Sequence, residues 1–147
     1  MATYNKIQQF VEDLAHGVHN LGSDTLRVAL CAAANAPVAT NEIRGNLTEI
    51  AYTNVSGGAN PTITTSSSGH TTGTYDLVLN DLTITASGGA VAAFRYVVVY
   101  NDTPTSPADP LICWFDYGSD LTLQDGESLT VDFESDGPTT GSLLTLA

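Results

Sequence analysis

The stretch from Tyr75 onward most constrains the fold, because its apolar residues recur at every second position. Leu77 and Leu79, then Leu82, Ile84 and Ala86, alternate with Asp76, Asn80, Thr83 and Thr85. A period of two puts neighbouring side chains on opposite faces of a strand, so the pattern predicts half-buried antiparallel strands with one wet face. "ASGGA" breaks the run with turn chemistry. Phe94 to Tyr100 follows as near-continuous aromatic and β-branched sequence, which predicts a central strand covered on both faces. The next segment, "NDTPTSPADP", cannot continue a sheet interior, since Pro104, Pro107 and Pro110 lack the N–H that a ladder needs. Leu111 to Tyr117 resumes the strand character, Gly118 interrupts it, and Leu121 to Leu123 leads to a turn at Gln124 to Glu127. Leu129, Val131 and Phe133 mark a further one-faced strand, and Leu144 to Leu146 a last one.

Ahead of these strands, Ile7, Phe10, Val11, Leu14 and Val18 share one helical face by spacing. They predict a single helix within about residues 4–18, firmest from Tyr4 to Ala15 and ended by Gly17. Thr25 to Cys31 alternates as a first strand. Residues 32–60 are weakly patterned, and "NVSGGANP" is turn sequence. The region 53–74, dominated by Ser, Thr and Gly, predicts an exposed loop with one short strand near Thr62 to Thr65. The total is seven to nine short strands after one helix, with no alternation of strand and helix. The expected fold is therefore mainly β: an antiparallel β-sandwich of jelly-roll or Greek-key order, in a single domain over residues 1–147.

At 147 residues the chain suffices for one well-buried core, and 42% hydrophobic against 14% charged residues is a folding composition. The net charge is 4 − 16 = −12, and residues 101–147 hold nine acids and neither Lys nor Arg. Phosphate recognition needs clustered bases, whereas Lys6, Arg27, Arg44 and Arg95 are scattered. Nucleic acid and anionic membrane are thus poor partners. Arg95, beside the most apolar strand, is expected to pair with an acid, within the chain or across a subunit contact. No stretch approaches a membrane span. The N-terminal "VEDLAHG" carries acids where a signal peptide needs an apolar core, so action, or at least synthesis, in the cytosol is the expectation. Cys31 and Cys113 lie in apolar runs and are expected to be buried free thiols.

No catalytic, cofactor or metal residue is assigned. "DFESDG" places Asp132, Glu134 and Asp136 as the opening of a calcium loop does, but Pro138 holds its seventh position and Leu143 its twelfth, where a bidentate Glu belongs. Asp132 and Glu134 then face water on a strand. His16 and His19 end the helix, with capping or solvent exposure as their expected role, and His70 sits in the flexible-looking "SSSGHTTG". No nucleophile elbow accompanies them, and the glycine-rich stretches lack the lysine of a phosphate loop. The chain is read as a non-enzyme without a small-molecule substrate. Trp114, in "LICWF", is read as a core or interface aromatic rather than a sugar platform. The acids around the proline loop, Asp102, Asp109 and Asp116, raise the question of a cleft. The favoured reading is an exposed rim or rigid docking lip at residues 101–110, whose segment Thr103 to Ala108 is expected to be dispensable for folding.

Taken as a whole, "YNKIQQFVEDLAHGVHNLGSDTLRVAL", "TTGTYDLVLNDLTITASGGAVAAFRYVVVYNDT" and "DPLICWFDYGSDLTLQDGESLTVDF" resemble a group of small virion structural proteins of tailed bacteriophages. The resemblance implies a head decoration, or cement, protein with a jelly-roll-like β fold. It implies a homotrimer on the outer capsid surface, bound to the major capsid protein at subunit junctions. It transfers no site residues. A tail or baseplate component and a virion-surface carbohydrate-binding adhesin, using Trp114 or the loop around His70, are the alternatives.

Overall fold

The structure is a computed structural model and describes residues 2–133 and 142–146. In chain order its elements are β1 (Thr3–Lys6), α1 (Gln9–Ala15), β2 (Leu26–Cys31), β3 (Thr62–Ile63), β4 (Thr65–Thr71), β5 (Thr74–Leu79), β6 (Leu82–Thr85), β7 (Phe94–Asn101), β8 (Leu111–Leu121), β9 (Ser128–Val131) and β10 (Ser142–Leu146). A five-stranded sheet in the order β1-β8-β7-β2-β3 forms the centre. β10-β5-β4 make a second sheet, and β6-β9 a two-stranded third. All these ladders are antiparallel. The chain is mainly β and sandwich-like, with one α-helix among the described residues, the fold class the period-two pattern predicts.

The central strand owes its place to composition. Val97, Val98 and Val99 of β7 lie opposite Phe115, Trp114 and Cys113 on one side, and opposite Leu30, Ala29 and Val28 on the other. All three valines are buried although consecutive residues point to opposite faces, so the sheet is covered above and below. Each such side chain removed from water contributes about 1.5–3 kcal/mol. Tyr4 and Phe133 both meet the ring of Phe115 edge-on, extending this core to β1 and to the segment just past β9.

Three sequence expectations need correction. The helix begins at Gln9, not Tyr4: Thr3 to Lys6 form β1, with Tyr4 opposite Phe115 and Asn5 opposite Trp114. Ile7 and Phe10 are buried, but Val11 is 53% exposed. The third inward position of the helix is Asp13, an acid that a search for apolar spacing passes over. Gly17 does end the helix, at φ +74. The Gly17 N–H bonds the Leu14 carbonyl and the Val18 N–H bonds that of Asp13, a Schellman turn.

Next, the Ser/Thr-rich region is not an open loop. Residues Thr65–Thr71 are a strand hairpinned to β5, and the turn residues Thr72 (φ +50) and Gly73 (φ +88) have the two positive angles of a tight primed turn. Finally, the expected interruption at Gly118 lies inside one longer strand and takes the form of a bulge. Phe94 is opposite Leu121 while Tyr96 is opposite Asp116, so Tyr117 to Asp120 bulge outward and β8 continues beyond them. Gly118 supplies the positive φ, +93, that such a bulge needs.

Candidate functional site

The acids that suggested a cleft are each answered by an arginine of the same chain. Arg27 Nε lies 2.8 Å from Asp102 Oδ2, and Arg44 Nη1 lies 3.6 Å from Asp109 Oδ2. Arg95 grips Asp116 with two nitrogens, at 2.7 and 3.0 Å, so the expected Arg95 pair forms within the chain. The fork geometry suits a bidentate guanidinium–carboxylate pair. The Arg95 guanidinium holds the Asp116 carboxyl below the usual carboxylate range. The proline loop is likewise tied down. Its Asp109 carbonyl accepts the Arg44 N–H, Thr103 Oγ1 accepts the Thr25 N–H at 2.8 Å, and the Asp102 N–H bonds the Thr25 carbonyl.

The densest polar cluster lies where the sequence is least patterned, along the outer edge of β2. β3 covers this edge only at Leu26 and Arg27. Beyond it, the Val28 N–H bonds the Pro61 carbonyl and the Ile50 N–H bonds the Leu30 carbonyl. Side chains supply the remaining partners. Asn60 Nδ2 donates to the Val28 carbonyl at 3.2 Å, and the Tyr52 hydroxyl accepts the Leu30 N–H at 2.8 Å. Backbone groups that would otherwise be orphaned or left sticky are thereby satisfied.

Glu49 organises these side chains. Its Oε1 accepts Arg44 Nε at 2.6 Å, and its Oε2 accepts Asn60 Nδ2 at 2.7 Å and the Tyr52 hydroxyl. Arg44 Nη2 reaches Asn60 Oδ1 at 2.9 Å, and its guanidinium lies 5.3 Å from the centre of the Tyr100 ring. Burial, then the bond to Glu49, pushes the Tyr52 phenol up. With both Glu49 oxygens engaged and Tyr52 held protonated, the cluster is built to clamp the irregular segment 44–60 onto the sheet. A partly buried network of this kind contributes only if every member is satisfied.

The other candidates separate. His16 is exposed, with Nδ1 3.8 Å from Glu12 Oε1. His19 departs from the expected capping or exposure: the Schellman turn folds it back under Phe10, with ring centres 5.1 Å apart, and it is buried. His70 lies exposed on β4 opposite Tyr75. Trp114 is half-buried and packs against the core. Asp132 is exposed, whereas Glu134 and Asp136 lie outside the described residues. Cys31 and Cys113 are free and buried, and burial pushes the Cys31 thiol up to about 12. Among the described residues, no group of three or more His, Cys, Asp or Glu could hold a metal ion, and no helix is long and apolar enough to cross a membrane.

Sequence reasoning passed over Glu49, Tyr52, Asn60, Asp24 and Asn101. The one local signal was Asn60 before Pro61, at the end of a glycine turn, where it adopts φ +53. The chain matches no protein-family model, no curated protein and no solved structure.

Proposed function

We propose that this chain is a structural protein of a tailed-bacteriophage virion, a decoration protein that binds the outer surface of the head at subunit junctions and stabilises it. The reading rests on the resemblance of the sequence to such proteins. The observation that carries it further is the pairing of all three arginines with carboxylates of their own chain. Those pairs leave Lys6 as the one Lys or Arg without an ion pair among the described residues, in a chain of net charge −12. A surface of that sign suits the exterior of a head better than the face turned to packaged DNA. The clamps on segment 44–60 and on the proline loop also favour a rigid binding body, which loses little conformational freedom on docking.

The mechanism in this reading is mechanical. A homotrimer of a stiff β body, seated across several copies of the major capsid protein, buries area that must be re-exposed before those subunits separate. Electron microscopy of intact particles tests the proposal. Density for the chain at head subunit junctions, with heads that lose heat resistance when it is omitted, is the expected result. Density confined to the tail or baseplate, or saturable glycan binding by the isolated protein with undecorated heads, would replace it with one of the alternatives.

A further inference from the structure

Helix α1 is joined to the end of β7 by a buried polar knot that the clamp and the ion pairs do not involve. Asp13 and His19 are each 6% exposed and Asn101 is fully buried. Asn101 Nδ2 lies 2.6 Å from Asp24 Oδ2 and 3.1 Å from His19 Nδ1, while Asn101 Oδ1 accepts the Thr103 N–H at 3.1 Å. Asp24 Oδ2 also accepts the Asn20 N–H at 2.7 Å. A carboxylate on one side and a backbone N–H on the other fix the orientation of the amide. Its NH2 group faces the imidazole, so His19 Nδ1 can only accept, and the ring proton sits on Nε2. Both His19 Nε2 and Asp13 Oδ2 are buried without a hydrogen-bond partner among the described residues.

A second proton, on Nδ1, would set two donors against each other across that 3.1 Å contact. Asn101 cannot turn its oxygen toward His19 without losing both Asp24 and Thr103. We infer that His19 is an acid-sensitive latch: as the neutral Nε2–H tautomer it holds α1 and the turn carrying Asp24 against β7, and its protonation opens that joint and the start of the proline loop. The charged groups acting on the ring are Asp13 from α1 and Asp24 from the turn, and β7 presents the uncharged Asn101. Burial disfavours the imidazolium and is the largest influence. Asp13 and Asp24 oppose it, and the balance leaves His19 below its ordinary 6.5. The unfolded chain takes up this proton near pH 6.5 and the fold resists it. The latch's contribution is therefore complete above about pH 6.5 and is lost as pH falls from there toward the folded value.

Long-range proton–nitrogen NMR of the histidine rings in the full chain tests the tautomer. His19 should appear as the neutral Nε2–H form and remain neutral at pH 6.5, and hydrogen exchange of α1 amides, corrected for intrinsic rates, should accelerate below that pH. His19→Gln keeps an acceptor for Asn101 without a titrating group. At pH values between the lowered folded value and about 6.5, its folded-to-unfolded ratio should fall less steeply with acid than that of the native chain, by at most about tenfold per pH unit. An Nδ1–H tautomer, a half-protonated His19 ring in the folded protein at pH 6.5 or above, or identical pH dependence in His19→Gln overturns the latch. Should that variant fail to fold, the ring spectra of the native chain decide alone.

Discussion

Tyr52→Phe removes one oxygen atom from the clamp on β2. The Tyr52 hydroxyl accepts the Leu30 N–H at 2.8 Å, and Leu30 is fully buried, so the amide would lose its partner where water cannot replace it. An unsatisfied buried donor costs about 1–3 kcal/mol, and a lost hydrogen bond to a charged group about 1.5 kcal/mol or more. Glu49 Oε2 keeps Asn60 as a donor, so only part of the second cost applies, and the sum is about 3 kcal/mol. Native stabilities of about 5–15 kcal/mol make this a large fraction. Unfolding entropy of about 2.1 cal/mol/K per residue, over 147 residues, gives about 0.3 kcal/mol/K, so Tm should fall by about 10 °C. Thermal unfolding followed by circular dichroism reads this directly. Tyr75→Phe serves as the control, because among the described residues that hydroxyl meets only Ser68 Oγ, at 2.7 Å, on the β4–β5 hairpin, and its loss should cost less than about 1.5 kcal/mol. A Tyr52→Phe protein that melts within about 3 °C of the native chain, with unchanged exchange at the Leu30 amide, would refute the idea that this hydroxyl seals the strand.

Three further outcomes are expected. Gly89 has φ +144, and a Cβ there would lie 2.7 Å from Asn54 Nδ2, which donates to the Ala90 carbonyl. Gly89→Ala should therefore lose about 2–3 kcal/mol in chemical denaturation, against about 1 kcal/mol for Gly57→Ala, where a Cβ meets nothing within 4 Å. Cys31 and Cys113, buried and held as thiols, should resist a water-soluble disulfide reagent in the folded protein and both react once it is denatured; labelling of either in the native state at full folding would contradict their placement. Because Arg95 depresses the Asp116 carboxyl, their pair stabilises the fold above the ordinary carboxylate pKa and is lost as pH falls through the depressed value. Arg95→Leu should accordingly show a shallower loss of stability in acid than the native chain, and an unchanged acid limb would show that the pair contributes nothing to folding.

The centre of the fold was legible because its signal is local. Three consecutive valines, and leucines at every second position, dictate β7 and β5 whatever surrounds them. β4 was opaque for the opposite reason: Ser66, Ser67 and Ser68 carry no apolar alternation, and the strand is defined by pairing with β5. Tyr4 to Lys6 were drawn into the helix because Ile7, which follows them, fits helical spacing as well as strand burial. The clamp escaped notice because its partners are far apart in sequence or carry no period. Asn60 meets Val28 and Arg44 meets Glu49 through side-chain hydrogen bonds, which leave no trace in a hydropathy pattern. The arginine–aspartate pairs were half legible. Charge predicted that Arg95 would find an acid, but only the register of β7 against β8 selects Asp116.

The manner in which β2 is closed has a consequence for how this protein could change. Most sheet edges end at a strand or a bulge, and moving such a boundary requires the main chain itself to shift. Here, past β3, two of the four hydrogen bonds that end the sheet belong to side chains, those of Tyr52 and Asn60. Single-codon substitutions at those two positions would bare the Val28 carbonyl and the Leu30 amide on the same edge, while the Val28 N–H and the Leu30 carbonyl stay bonded to Pro61 and Ile50. Two point mutations are thus enough to leave unpaired backbone groups on this edge, the kind that invite another chain to pair. Selection against fibre formation would be felt at these polar residues rather than at the valines that build the core.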